Sequence, residues 1–246
     1  MRRLLFILML VLALPLFAAS DFTVDLKFLP QEGVHSDSPD LAPSVLEKEV
    51  RIAVEDGRGG DDALAIGKGT DDDDHAFAIR ATTAVLPYLG ATSQDVAKEW
   101  GIKTSDKSER VLTLRFTRFF VEESNKALGS VYAAEVKMTF TLAEGKKLLA
   151  EGAASGSAHR YGRSRSDENA NEVLSDALKE SLANAFGDSR LQTAWASGKS
   201  APGTAKAKEP AESVEQRLKK LDELLKKGLI TKEEYDRKRA EILSEL

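Results

Sequence analysis

The sequence predicts an α+β protein: an antiparallel sheet with helices packed on one face, plus a C-terminal two-helix hairpin on a flexible linker. Several segments alternate apolar and polar residues with period two, as half-buried strands do. A later segment repeats apolar residues every three to four positions, which is typical of an amphipathic helix. A stretch rich in Ala, Gly, Pro and Lys then separates this domain from a final leucine-rich segment. A run of strands closed by a helix favours the α+β class.

The first twenty residues have the pattern of a secretory signal peptide. Arg2 and Arg3 precede an apolar run over residues 4–14, and small residues follow a proline. The run is too short for a membrane-spanning helix, and the small residues suit a cleavage site. We therefore expect cleavage near Ser20 and a periplasmic or secreted chain that begins at Asp21. The alternative is that the segment is retained as an N-terminal anchor.

Composition excludes several classes of function. The chain has no cysteine, which excludes disulfides, thiol catalysis, thiolate metal sites and the lipid anchor that bacterial lipoproteins carry on an N-terminal cysteine. An exported chain without cysteine is ordinary in a bacterial periplasm. The formal net charge is −5, and losing the two positive charges of Arg2 and Arg3 brings it to −7. This sign argues against nucleic acid as a partner, because binding a polyanion depends on Lys and Arg.

The chain divides into parts by composition and patterning. The expected parts are a signal peptide over 1–20, a leader over 21–47, an α+β envelope domain over 48–195, a flexible linker over 196–211 and a helical hairpin over 212–246.

The first half of the domain predicts a hairpin and then a short helix. The tip of the hairpin is the Asp71–Asp74 run, and its second strand continues to Val85. Pro87 argues against a helix at this point, because proline interrupts a helix interior. We therefore place the helix after it, with Ser93 as its N-cap and Gly101 as its end.

The second half predicts three strands and a long helix. Alternation in the first strand slips near Thr117 and Arg118, which predicts a β-bulge. The next two strands form a hairpin that turns at residues 144–146. A face of small residues on the last strand lets another element approach the backbone closely, so we expect the following helix to pack there. The small residues are Ala150, Gly152, Ala154, Gly156 and Ala158.

The tail repeats apolar residues every three to four positions on both sides of Gly228, a residue suited to end a helix. Thr231 and Glu234 form a capping box at the start of the second helix. The remaining positions are charged and nearly balanced, as expected of a solvated face. We predict that the apolar stripe is the partner-binding surface. Its residues are Leu218, Leu221, Leu225, Leu229, Ile230, Tyr235 and Ile242.

The tail resembles the SHOCT (short C-terminal) domain family, in its leucines followed by "KKGLITKEEYDRKRAEIL". The resemblance implies a helical hairpin for interaction or oligomerisation and no catalysis. Two helices of this size bury too little surface to be stable alone. Their stripe is expected to pack against another copy of this chain, against another envelope protein, or back onto the parent domain.

The domain resembles the YajG-type envelope lipoproteins. The resemblance lies in "VRIAVEDGR" with "AIGKG", in "VLTLRF" with "AEVKMTFTL", and in "GKKLLAEGAASGSAHRYG" with the helix that follows. It implies a small α+β domain in the cell envelope without an established reaction. Those relatives are lipid-anchored, so for a chain without cysteine the resemblance implies a soluble or differently tethered form.

Two charged segments are candidate binding sites. The Asp71–Asp74 run with His75 offers oxygen ligands for a divalent cation, but it lacks the register of an EF-hand loop, and a solvated hairpin tip is the favoured interpretation. The Arg160–Arg165 cluster has donors for a phosphate or carboxylate. Asp167 and Glu168 follow it directly, so an exposed, neutralised loop is favoured there.

Catalytic motifs are missing from the sequence. The patterns G-x-S-x-G, H-E-x-x-H and the P-loop do not occur, and the "DGRGGDD" segment has turn rather than phosphate-loop spacing. We therefore predict an exported, non-enzymatic cell-envelope protein without cofactor, whose C-terminal hairpin mediates oligomerisation or partner binding. The alternative is a binding module for a small anion or divalent cation, through the Arg160–Arg165 cluster or the Asp71–Asp74 loop.

Overall fold

The computed structural model describes residues 21–31, 38–71, 73, 75–126 and 128–201, together with residues 232, 235, 238 and 239. Its strands are β1 (Phe22–Val24), β2 (Arg51–Asp56), β3 (Ala65–Thr70), β4 (Ala76–Ala81), β5 (Arg110–Lys126), β6 (Gly129–Glu144) and β7 (Lys147–Gly162). Its helices are α1 (Pro43–Leu46), α2 (Val85–Glu99), α3 (Asp167–Phe186) and α4 (Ser189–Ser197). None of the helices described is long and apolar enough to cross a membrane.

The seven strands form one mixed sheet, in the order β1-β4-β3-β5-β6-β7 with β2 also paired to β5. The α+β class is confirmed, but the expectation of a purely antiparallel sheet is wrong, because β1, β2 and β3 each make parallel pairings. A parallel pairing needs a crossover connection, and β4 followed by α2 forms the crossover between the paired strands β3 and β5. Strand direction leaves no trace in a period-two pattern, so the sequence could not reveal it.

A bulge divides β5 into two halves that pair differently. The register shifts between Phe116 and Arg118, as the sequence predicted. The half before the shift pairs with β2, and the half after it pairs with β3. The extra residue resets the alternation, so that Phe119, Val121 and Glu123 all lie on the buried face of the sheet.

The segment around Pro87 differs from the prediction. Strand β4 ends at Ala81 instead of Val85, and α2 begins at Val85 with Pro87 in its first turn. Proline is tolerated there because the first N–H groups of a helix have no partner within the helix. Ser93, the expected N-cap, is buried inside α2. Gly101, with φ of +80°, follows the end of the helix as predicted.

The helices lie on one face of the sheet. Tyr88 of α2 contacts Phe119 on the buried face of β5, with ring centroids 6.0 Å apart. Trp100 at the end of α2 packs edge-on against Phe186 of α3, at 5.9 Å. Trp195 of α4 then packs against the same Phe186. The aromatic contacts join α2, α3 and α4 into one layer over the core.

Helix α3 approaches β7 closely, as the small residues predicted. A Cβ atom at Gly156 would overlap the carbonyl oxygen of Ala177 and lie 2.5 Å from the backbone nitrogen of Ser181. Ser166 caps the helix by accepting from the N–H of Asn169. The expected apolar stripe is buried throughout: Val173, Leu174, Ala177, Leu178, Leu182, Ala185 and Phe186.

The leader is part of the domain, because polar side chains of α3 bind it. Backbone N–H groups at Lys27 and Leu29 donate to Asn171 Oδ1 and Ser175 Oγ, each at 2.8 Å. Asn171 Nδ2 donates back to the carbonyl of Asp25 at 2.9 Å. Side chains four apart on a helix are about 6 Å apart, close to the roughly 6.6 Å between alternate residues of an extended chain. Because the two spacings match, polar side chains one turn apart on α3 can bind alternate residues of the leader. The leader covers these side chains, and this explains why they are buried.

The domain continues to Ala201, past the residue 195 at which the sequence placed its end. Helix α4 extends to Ser197, and its Leu191 and Trp195 are buried. The N–H of Ala201 then donates to the carbonyl of Leu149 at 2.9 Å. This contact covers part of the exposed edge of β7, which would otherwise offer unpaired backbone groups.

Gly156→Ala tests the close approach of α3 to β7. The added methyl group has no room beside the α3 backbone, and we expect a loss of about 1–3 kcal/mol in the free energy of unfolding. Urea denaturation at neutral pH measures it. Gly59→Ala is the matched control, because a Cβ there meets nothing within 4 Å and φ is not positive. It should be neutral or about 0.4–1 kcal/mol more stable; equal effects of the two substitutions would contradict the close packing.

Asn171→Ala tests the attachment of the leader. Loss of the Asn171 oxygen leaves the Lys27 N–H without its acceptor, and we expect its hydrogen exchange to accelerate about fivefold, equivalent to about 1 kcal/mol. Asn184→Ala is the control on the same helix, because Asn184 donates to the carbonyl of Ser155 in β7 instead. Unchanged exchange at Lys27 in Asn171→Ala would refute the role assigned to this side chain.

Candidate functional site

The fold brings the two candidate charged segments together in one polar cleft. The cleft lies at the end of the sheet where β3 and β5 finish, and the loop between β7 and α3 forms its other wall. It has a volume of about 330 Å³. We call it the polar cleft, and its lining side chains include Asp71, Asp73, Phe77, Glu123, Ser164 and Arg165.

The acidic wall is the tip of the β3–β4 hairpin, as predicted for the Asp71–Asp74 run. Asp71 Oδ1 accepts the N–H groups of Asp73 and His75, at 3.0 and 2.8 Å. These bonds hold the pKa of Asp71 below its ordinary value, chiefly through the His75 N–H, while partial desolvation opposes them. The Asp71 carboxylate therefore organises the turn. Residues 72 and 74 of the run lie outside the described part of the chain.

The basic wall is formed by one residue of the Arg160–Arg165 cluster. The Arg165 guanidinium carbon lies 4.5 Å from the ring centroid of Phe77. Arg165 has φ of +50°, a left-handed conformation that is costly for a residue with a side chain. Arg160 points elsewhere and pairs with Glu172 of α3. The cluster is thus divided, and the neutralising carboxylate belongs to Glu172 instead of Asp167 or Glu168.

Glu123 lines the cleft from the buried face of β5. Only 2% of its surface is exposed. Its Oε1 atom accepts the Ser130 hydroxyl and the N–H of Arg165, both at 2.8 Å. Its Oε2 atom has no hydrogen-bond partner. An acidic side chain on the inward face of a strand usually has a counter-charge beside it, because a buried charge loses its hydration.

Tyr132 supports the loop that carries Arg165. Its hydroxyl donates to the carbonyl of Arg163 at 2.7 Å and accepts the N–H of Ser166 at 2.9 Å. Burial raises the pKa of Tyr132 well above its ordinary value; the Ser166 N–H opposes the shift, and the nearby Glu123 adds to it. The hydroxyl is therefore neutral at physiological pH and holds both backbone groups in place.

Glu123 and Tyr132 are residues of the candidate site that no motif in the sequence singles out. The segment "FFVEESNK" shows two adjacent glutamates, and only the bulge at residues 116–118 decides which of them faces inward. Counting alternate residues from the predicted bulge would have placed Glu123 beside Val121 on the buried face. A carboxylate at a position that the pattern predicts to be buried is the signal by which the sequence could have indicated Glu123.

The predicted partner-binding stripe lies mostly outside the described residues. Leu218, Leu221, Leu225, Leu229, Ile230 and Ile242 belong to this undescribed part of the chain. Tyr235 is described, and it is helical and half-buried. Lys232, Lys238 and Arg239 are also helical but exposed. Thr231 lies outside the described residues, so the second tail helix expected to begin there stays a prediction.

Residues 216–243 match the family of the Short C-terminal domain, SHOCT. The match confirms the predicted resemblance of the tail. It spans about the last thirty residues, and so it identifies the tail and leaves the family of the domain open. No curated protein matches the chain.

Three solved structures have distant similarity to the domain. A Xanthomonas campestris protein of family DUF330 is 10% identical, with 71% of this chain and 96% of that one covered and a TM-score of 0.45. A hemagglutinin homologue from Helicobacter pylori, of the neuraminyllactose-binding type, is 8% identical over 70% and 97%, with a TM-score of 0.33. A minor lipoprotein from Acinetobacter baumannii is 11% identical, with 60% of this chain and 87% of that one covered and a TM-score of 0.25. These scores are too low to assign a family, so the YajG-type resemblance stays a prediction.

Tyr132→Phe tests the support of the cleft loop and has a defined pH dependence. The folded pKa of Tyr132 is above the ordinary 10.0, so its stabilising effect is complete below pH 10 and is lost as the pH rises further. We expect Tyr132→Phe to lower the free energy of unfolding by about 1–3 kcal/mol at pH 7, because two backbone groups lose a partner. The deficit relative to wild type should shrink at pH 11.

The control for this prediction is Tyr161→Phe. Tyr161 lies on β7 with 58% of its surface exposed, and the same deletion of a hydroxyl should leave the stability at pH 7 nearly unchanged. Urea denaturation at both pH values provides the comparison. A deficit in Tyr132→Phe that is the same at pH 7 and pH 11 would contradict the assignment.

Proposed function

We propose that this chain is an exported, non-enzymatic cell-envelope protein whose C-terminal hairpin assembles the α+β domain into oligomers or onto a partner. The observation that carries the proposal is the SHOCT match at residues 216–243, which coincides with the predicted leucine stripe. The export assignment rests on the signal-peptide pattern of residues 1–20. The domain is then the part that the tail concentrates or positions in the envelope.

Self-association is the favoured form of this assembly, because the described domain offers little apolar surface for its own tail. Its large exposed apolar residues lie in separate places. Leu29 follows β1, Leu148 lies at the start of β7, and Leu128 and Tyr161 lie at the far end of the sheet. Docking a leucine stripe needs a contiguous apolar patch. Another copy of the tail presents the same apolar stripe, so two tails that pack together bury both stripes.

The non-catalytic part of the proposal rests on the sequence and on the chemistry of the polar cleft. The cleft holds carboxylates, a hydroxyl and a guanidinium, which are groups suited to bind and orient a charged ligand. Ser130 donates to Glu123, and this pair has no histidine or further base arranged behind it in the contacts described. Binding is therefore the function that the cleft supports.

Light scattering after gel filtration tests the assembly. The chain from Asp21 should be oligomeric, and a version that ends at Ala201 should be monomeric. Truncation after Ala201 keeps the backbone bond from Ala201 to Leu149 and so leaves the domain intact. If both forms are monomeric, the tail does not self-associate, and a pull-down with the tail as bait tests the partner form of the proposal.

Leu221→Asp tests the stripe within the full chain. A charge in a buried stripe should shift the assembly to monomer while the domain keeps its melting temperature, because a buried unpaired carboxylate is strongly destabilising. Leu128→Asp is the matched control, since Leu128 is 93% exposed in the β5–β6 turn. An unchanged oligomer in Leu221→Asp, or an equal effect of Leu128→Asp, would refute the stripe as the interface.

A further inference from the structure

We propose that the polar cleft binds a primary ammonium group and that Glu123 receives it. This inference concerns the domain and is independent of the tail, so each proposal stands or fails on its own experiments. The ammonium belongs either to a small amine or to the side chain of a lysine in a polypeptide, and the experiment below separates these sources.

The unsatisfied carboxylate oxygen of Glu123 is the observation that points to a ligand. Oε1 is occupied by Ser130 and by the backbone of Arg165, whereas Oε2 has no partner and is shielded from solvent. Loss of hydration without a replacement hydrogen bond is unfavourable for a carboxylate. A donor with a positive charge would satisfy the oxygen and neutralise the buried charge at once.

The charge of the cleft favours a cation over an anion. Of the lining residues that the structure describes, Asp71, Asp73 and Glu123 carry carboxylates, and Arg165 carries a guanidinium. Arg160, a half-buried member of the basic cluster, is already paired with Glu172. An anion would therefore meet net repulsion at this site. The expectation of an anion clamp formed by the whole cluster does not fit this arrangement.

The donor geometry favours an ammonium over a metal ion. Ca²⁺ takes six to eight oxygen ligands, and both Asp71 oxygens already face donors of the hairpin tip. Among the residues described, no three His, Asp or Glu side chains are grouped closely enough to hold a metal. An ammonium has three N–H donors and needs only three acceptors. Glu123 Oε2 is the acceptor without a partner, and the Asp73 carboxylate lines the same cleft.

The apolar part of an alkyl amine also has a surface to contact. The ring of Phe77 lines the cleft, and the cleft's volume of about 330 Å³ is at the lower end of the range for small-molecule sites. The methylene chain of an alkyl amine would contact this ring while its ammonium binds Glu123. A bare inorganic cation gains nothing from this wall.

Entry requires a side chain to move, and Arg165 is the one placed to do so. Its side chain is exposed, and its contact with the Phe77 ring is of the weak, exposed cation–π type. Rotation of the guanidinium away from Phe77 exposes the ring and removes a competing positive charge. The N–H of Arg165 meanwhile stays bonded to Glu123 Oε1, so the carboxylate keeps its position.

An NMR titration of the chain from Asp21 tests the proposal, with 1,5-diaminopentane and with N-acetyl-lysine methylamide as separate probes. We expect saturable binding with a Kd on the order of millimolar and chemical-shift changes at the amides of Glu123 and Arg165. Tighter binding of the diamine identifies a small amine as the natural class, and tighter binding of the lysine derivative identifies a polypeptide side chain. Absence of saturable binding by either probe overturns the proposal.

Substitutions distinguish binding at Glu123 from non-specific electrostatic attraction to the protein. Glu123→Gln should weaken binding about tenfold or more, since a charge-assisted hydrogen bond is lost. Glu122→Gln removes the same charge at the next residue, which is exposed and pairs with Lys68 at 3.4 Å, and should leave binding unchanged. Equal weakening by both substitutions would show non-specific attraction and overturn the assignment.

Two exposed positions keep the test valid if Glu123→Gln does not fold. Arg165→Ala should tighten binding about threefold or more, because it removes both the obstruction and the like charge. Asp73→Asn should weaken it by a similar factor. Opposite shifts in these two variants support the site. Unchanged binding in both, or stoichiometric Ca²⁺ binding in place of the amines, overturns it.

Discussion

The close packing of α3 on the small-residue face of β7 is the constraint on which the rest of the domain depends. Gly156 lets the helix backbone approach the strand, and other side chains of the same helix reach the leader. There, Asn171 and Ser175 bind extended backbone that has no strand partner of its own. One helix thus covers the sheet, fills the core and holds the N-terminal segment. Its buried polar residues are consequences of that position.

The length of β5 determines the second half of the architecture. Seventeen residues in one strand give room for two parallel partners on the same edge, and the bulge between them lets each partner meet the strand in its own register. The bulge also returns Glu123 to the buried face. The bulge that lets β5 pair with both β2 and β3 therefore also places a buried carboxylate in the polar cleft.

The polar cleft and Ala201, where the described part of the domain ends, lie toward opposite ends of β7. The cleft lies beside the end of β7, near Gly162, whereas the described chain leaves the domain at Ala201 beside Leu149, near the start of β7. Thirteen residues of extended strand separate these points, roughly 40 Å. Several clefts held together in one oligomer would bind a multivalent amine more strongly than a single cleft does.

The sequence by itself determined the local elements of this protein. Period-two alternation located the β6–β7 hairpin and the bulge in β5, and the small residues of β7 predicted its helix contact, because these properties depend on neighbours in the chain. The SHOCT tail was recognised in the same way, from residues close together in sequence. The prediction around Pro87 was wrong because a proline by itself does not reveal whether it lies in the first turn of a helix or in the middle.

Only the tertiary structure decided strand direction, the attachment of the leader and the composition of the polar cleft. Each of these joins residues far apart in the chain, such as Lys27 with Asn171, or Phe77 with Arg165. Local patterns carry no information about such contacts, because they arise from the crossover through α2 and from the depth at which α3 packs. The sequence named both charged segments separately, and folding alone placed them on either side of the same buried carboxylate.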